Sequence, residues 1–174
     1  MSDPRELPAE RRNWLERILL KIPGFSNYLE KEYRRESDHL LRLHLSQRLG
    51  EGKQRLNEAV RAALDAGRLG LLGKVPPVAN LLEQLDSRIR FASHGYSGFF
   101  DAVKIGEKEL DALYAFDAGL LNDLDGLLTD LNELPGVAGD ETVFTLKLNG
   151  IQDRLRALDT AWNGRQDRLM GLSR

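Results

Sequence analysis

Apolar residues recur along this chain at alternating steps of three and four. Leu110, Leu113, Leu120, Leu124, Leu127, Leu131 and Leu134 follow that rhythm, with Asp117 in one seam position. Phe144, Leu148, Ile151, Leu155, Leu158 and Trp162 repeat it, and so do Val78, Leu82, Leu85, Ile89 and Ala92. Such seams predict helices that cross at about 20° in a left-handed bundle. Tyr114, Leu121 and Leu128 widen the stripe around Leu124, which predicts a helix packed by two neighbours. No segment alternates with the period of two that a strand requires.

Prolines and glycines place the boundaries. A first helix is predicted over Ala9–Ile22, ended by Pro23-Gly24. A second runs from about Asn27 to Ala66, and Gly67–Pro77 is a connector. A third covers Val78–Ala92, with Pro77 suited to its first turn. Ser93–Gly98 reads as a loop, a fourth helix spans Glu107–Leu134, and Asp140 is a natural N-cap for a fifth that reaches Met170. The second helix is out of step with itself. Leu29, Tyr33, Leu40 and Leu43 define its early stripe, and Leu49, Leu56, Val60 and Ala63 its later one. Gly50-Glu51-Gly52 lies between them, so a kink there would re-aim the apolar face, and a functional hinge is the sharper alternative. The expectation is an all-α, single-domain, antiparallel bundle of about five helices, one of them long and kinked. It occupies residues 1–174, with 1–8 as a flexible N-terminus.

Composition narrows the function. The 174 residues suit one domain, and there is no cysteine, which excludes disulfides, thiolate metal sites and a cysteine nucleophile. Charged residues are 30% and the formal net charge is −2, so no strong field attracts nucleic acid. The N-terminus has no apolar signal region and no window suits a membrane span, which predicts a cytoplasmic protein with membrane association through its surface only. Acids crowd the fourth helix, from Glu107 and Glu109 to Asp123, Asp125, Asp130 and Glu133. They predict a solvated face packed beside basic neighbours, or else a face for a basic partner.

Candidate chemistry is sparse. Glu36 and His39 form Glu-x-x-His, half of a di-iron carboxylate signature, but no other helix supplies a second histidine. No phosphate-binding glycine loop and no nucleophile elbow occurs. No catalytic residue, metal or cofactor is therefore assigned. Asp117 stands where an apolar residue is expected, so it must be paired or protonated in the core, with Arg34, Arg35 or His39 as candidate partners. Phe91, Tyr96, Phe99 and Phe100 cluster around the 93–98 loop, as a plug for one end of the bundle or a ligand pocket. The most exposed candidate is the first helix. Trp14, Leu15, Ile18, Leu19 and Ile22 make one stripe, Phe25 follows, and Arg11, Arg12, Arg17 and Lys21 flank it. That stripe either docks on the bundle or lies on an anionic membrane or in a partner's groove.

Two stretches carry a family resemblance. Ile22-Pro-Gly-Phe-Ser-Asn-Tyr-Leu-Glu-Lys-Glu and Gly95-Tyr-Ser-Gly-Phe-Phe-Asp-Ala-Val-Lys, followed by Glu109–Asp117, resemble motifs of an uncharacterised bacterial helical protein family. The likeness covers about Ile18 to Leu121. At Gly106 the family pattern prefers Asp as the helix N-cap, a place that glycine also fills. The resemblance transfers no catalytic residues. It implies a link to flotillin-like SPFH membrane-scaffold proteins, and with it a membrane-linked assembly.

Taken together, the residues favour a non-enzymatic adaptor or scaffold working through protein contacts, its partner a second copy or a membrane-scaffold protein, with no nucleic acid. A peripheral membrane-binding protein using the first helix is the alternative. A metal-dependent or hydrolytic enzyme built on Glu36, His39 and Asp117 is the distant third.

Overall fold

The computed structural model describes residues 18–22, 34–92 and 107–171. Helix α1 is represented by residues 18–21. It is followed by α2 (Arg34–Asp65), a 3-10 turn over Leu69–Lys74, α3 (Pro76–Phe91), α4 (Glu107–Glu133), a 3-10 turn over Pro135–Val137 and α5 (Glu141–Gly171). Among the described residues there is no strand. Two of the five described helices are bent. Trp14, Leu15 and Phe25, and the plug residues Tyr96, Phe99 and Phe100, lie outside the described residues.

The helix ends follow from local sequence. Gly67 takes φ +70°, a conformation that costs glycine little. It lets the Arg68 amide donate to the Ala63 carbonyl at 2.8 Å and its own amide donate to Leu64 at 2.9 Å, closing α2 with a Schellman motif. At the start of α5 the amides of Thr142 and Val143 both donate to Oδ1 of Asp140 at 3.0 Å, the N-cap its sequence position predicts.

Each long helix packs on two others. α2 packs on α3 and α4, and α5 packs on α3 and α4. Side-chain pairs set the directions. Lys53 reaches Glu83 and Asp86 while Ser46 also reaches Asp86 and Arg90, so α2 and α3 are antiparallel. Asp117 meets Arg165, Asp130 meets Arg154 and Glu133 meets Lys147, so α4 and α5 are antiparallel. Between these hairpins the neighbours run in like directions. Asp38 and Asp117 flank one Arg165, and further along Arg48 meets Asp125. Lys74 meets Glu141, and Arg88 meets Asp159. The bundle is antiparallel within each hairpin and parallel across the α2–α4 and α3–α5 faces.

The core holds the predicted seams. Leu113, Leu120, Leu124, Leu127 and Leu131 of α4, Phe144 through Trp162 of α5, and Val78 through Ile89 of α3 are buried. Helix α2 departs from expectation. Its buried positions include Asp38, Leu41, Arg42, Leu45, Leu49, Leu56, Ala59 and Ala63, whereas Leu43 is 45% exposed. The phase does not change between the halves, because Gly52 is itself a core position. A Cβ built there would stand 3.0 Å from Cδ1 of Leu131 and 3.3 Å from Cδ2 of Leu128. Leu40 and Leu43 lie off the seam, which there contains Asp38 and Arg42 instead.

The acidic helix α4 lies beside basic neighbours. Asp125 meets Lys21 at 2.5 Å and Arg48 at 3.2 Å, Asp130 meets Arg154 at 2.5 Å, and Glu133 meets Lys147 at 2.6 Å. Lys21 thereby ties α1 to α4. Ile18 and Ile22 are fully buried and Leu19 packs partly against the same core. The described end of the amphipathic stripe is therefore turned into the bundle, while Leu20, at 87% exposure, faces water.

Candidate functional site

A buried cluster of four charges lies below the surface of α2 and joins it to α4 and α5. Asp117 is 2% exposed and Arg165 1%. The guanidinium of Arg165 donates from Nε to Oδ1 of Asp117 at 2.6 Å and from Nη2 to Oδ2 at 3.2 Å, a two-point grip. Its Nη1 stands 2.9 Å from Oδ1 of Asp38, an ion pair without hydrogen-bond alignment. The other oxygen of Asp38 accepts from Nε of Arg42 at 2.8 Å. Among the described residues the order Arg42–Asp38–Arg165–Asp117 alternates in sign, so each buried charge has an opposite neighbour. Arg165 also lies over the Trp162 ring, 5.2 Å from its centroid, a cation–π contact in a desolvated place. Burial pushes the Asp117 carboxyl above its ordinary range. The Arg165 charge opposes that push, and Asp38 adds to it.

Sequence position correctly makes Asp117 a buried polar residue. Its partner is different from the candidates. His39 is exposed, and the side chains of Arg34 and Arg35 lie outside the described residues. Arg165 takes the role because the α4–α5 hairpin brings the end of α5 back to the start of α4. Arg165 extends the Phe144–Trp162 seam by one further step of three, a position that spacing marks but that an arginine near a helix end disguises.

A second cluster sits nearer the surface between α2 and α3. Asp86 accepts from the Ser46 hydroxyl at 2.5 Å and from Nζ of Lys53 at 2.8 Å. Arg90 lies 3.6 Å from Asp86 and donates to the Ser46 oxygen from Nε at 3.3 Å and from Nη2 at 3.1 Å. Burial alone would raise the Asp86 carboxyl. Hydrogen bonds from Lys53 and Ser46, with the Lys53 and Arg90 charges, outweigh it and hold the group below its ordinary range.

Above these clusters lies a groove of about 460 Å³ lined by His39, Arg42, Leu43, Ser46, Gln47, Gly50 and Arg90. Five of the seven residues share one face of α2, at positions 39, 43, 46, 47 and 50. Nothing approaches within 4 Å of a Cβ built at Gly50, so the helix backbone is open there. Arg42 is held from behind by Asp38 and donates from Nη1 to the Arg90 carbonyl at 3.3 Å. Arg42 is thus held by its neighbours, while Arg90, mostly exposed, is tethered at the Ser46 oxygen. In the core a void of about 10 Å³ lies between Leu85, Leu124, Leu158 and Trp162.

Among the described residues no three histidine, aspartate or glutamate side chains converge as a metal site would need. Glu36 lies outside the described side chains, so the Glu36–His39 pair is seen only at His39. No described helix is long and apolar enough to cross a membrane. Compared with known proteins, the chain matches no family model, no curated sequence and no solved structure.

Proposed function

We propose that this chain is a non-enzymatic helical adaptor that receives a partner protein on the groove between α2 and α3. The observation that carries the reading is the exposed, helix-spaced face of α2. It presents Leu43, Gln47 and the open backbone at Gly50 beside a rim of ordered polar groups. From His39 to Gly50 the face is about 16 Å long at the α-helical rise, enough for three turns of a partner helix. A partner helix laid in such a groove buries apolar anchors and leaves a polar rim. A protein of the SPFH scaffold type is the partner that the family resemblance favours. Peripheral membrane attachment by α1 is less well supported, because Ile18 and Ile22 are committed to the core and Lys21 to Asp125.

Site-specific photo-crosslinking tests the proposal. A photoreactive residue at Gln47, in the native host, should capture one reproducible partner, and the same residue at Asp153 on the outer side of α5 should not. Adding Leu43→Glu should abolish the Gln47 product. Equal products from both positions, or none from Gln47, would reject the groove as the working surface.

A further inference from the structure

We infer that the groove selects an acidic amphipathic helix of a partner protein, a carboxylate of that helix being held between Arg42 and Arg90 while an apolar residue lies on Leu43. The inference rests on the adaptor reading and adds the chemistry of the partner. Its basis is charge complementarity. The lining carries two guanidiniums and a histidine, and no carboxylate is among the lining residues. Asp38 and Asp86, which anchor the two arginines, are themselves buried below the groove.

Both cations are ordered before any partner arrives. Arg42 uses Nε on Asp38 and Nη1 on the Arg90 carbonyl. Arg90 uses Nε and Nη2 on Ser46, with Asp86 near the latter. To the described residues, Nη2 of Arg42 and Nη1 of Arg90 make no further bond. A guanidinium held as Arg42 is binds a carboxylate with little loss of side-chain freedom, and the exposed Arg90, tethered at Ser46, adds a second donor beside it. A lone surface lysine would not offer this. The apolar part of the contact is also present. Leu43 is in the lining, and Phe91, the residue after Arg90, is 65% exposed.

The chemistry excludes a basic partner helix, whose lysines would face Arg42 and Arg90 at close range. It also disfavours a purely apolar one, which would cover the free N–H groups without pairing them. Carboxylates spaced one turn apart on the partner would meet His39 or Arg42 and then Arg90, with the intervening apolar residue over Leu43.

The test uses two hydrocarbon-stapled model helices of about 15 residues, a length at which an unstapled helix is marginal in water. They share one leucine stripe and differ only in glutamate or lysine flanks. Binding to the full chain is read by fluorescence anisotropy at low salt. The glutamate helix should bind at least about tenfold more tightly than the lysine helix, and Arg90→Glu should reverse that order. Arg90 is mostly exposed, and a thermal melt by circular dichroism confirms that this variant folds. Equal binding of both helices would overturn the inference. So would binding of neither while Gln47 still crosslinks a native partner, an outcome that leaves the adaptor reading standing. Loss of Gln47 crosslinking would remove both. Groove-dependent binding to phosphatidylserine vesicles, or self-association abolished by Arg90→Glu, with neither model helix bound, would replace the inference by a membrane surface or a second copy.

Discussion

Asp117 and Asp86 are both buried carboxylates with an arginine beside them, yet they face opposite ways in pH. Asp117 lies deep between α2, α4 and α5, where Arg165 grips it and a second carboxylate, Asp38, is near. Desolvation wins there and the carboxyl is raised. Asp86 lies at the rim of the groove, where Lys53, Ser46 and Arg90 converge on it and solvent reaches the lysine. Hydrogen bonding wins there and the carboxyl is lowered. The lesson is that the number of donors, more than burial alone, decides whether a carboxylate gains from folding. It also separates two jobs. The deep cluster ties three helices into one register, and the rim cluster holds the guanidinium of Arg90 at the edge of a surface groove.

The largest effect expected from breaking this contrast is at Arg165. Arg165→Met removes a cation shared by two buried carboxylates and should destabilise the fold by about 3–5 kcal/mol in urea melts. A loss under about 1 kcal/mol would mean that Asp38 and Asp117 are neutral in the native protein, since only charged orphans cost so much.

Asp86→Asn should cost less, about 1–3 kcal/mol at neutral pH, because Lys53 then loses its charged acceptor but still reaches Glu83 and solvent. Its pH dependence sharpens the comparison. Asp86 has a folded pKa below its unfolded value, so its contribution is complete above the unfolded value and disappears as pH falls through the folded one. Asp117 has a folded pKa above its unfolded value, so its contribution is complete below the unfolded value and is lost as pH rises through the folded one. Urea melts from about pH 7 to pH 3 should show the Asp86→Asn deficit shrinking in acid and the Asp117→Asn deficit growing. Parallel slopes for the two variants would refute the distinction.

The smallest effects concern two glycines in one helix. Gly52→Ala forces a methyl against Leu131 and Leu128 and should cost about 1–2 kcal/mol after the gain in helix propensity. Gly50→Ala meets nothing within 4 Å and should stabilise by roughly 0.5–1 kcal/mol in the same melts. Equal effects of the same sign would show that α2 lies farther from α4 than described.

Those glycines also mark where the sequence is legible. The seams of α3, α4 and α5 are continuous runs of large apolar residues, so their buried faces are read directly from spacing. In α2 the same seam is written with Asp38, Arg42, Gly52 and Ala59, residues that hydrophobicity does not flag, and the exposed Leu43 diverts the eye. Asp117 was conspicuous because leucines surround it. Arg165, one step beyond Trp162, was not, since a terminal arginine on a helix is ordinarily solvated. Pairing across the bundle is invisible to periodicity, which says that a face is buried and not against which helix. The parallel α2–α4 face, and with it the meeting of Asp38, Arg165 and Asp117, therefore emerges only in three dimensions. The groove was hidden for a related reason, being a property of α2 and α3 together.

The division of labour between a deep lock and a surface groove is tested most directly by one pair of variants assayed twice. Arg165→Met and Arg90→Glu are each measured for unfolding free energy and for crosslinking from Gln47 to the native partner. Arg90→Glu should lose the crosslinked product while its stability stays within about 1 kcal/mol of the parent, as expected for an exposed rim charge. Arg165→Met should lose stability by several times that amount and, at temperatures where it remains folded, keep the product. The account is contradicted if Arg90→Glu still crosslinks at the parent's yield, or if it unfolds as readily as Arg165→Met.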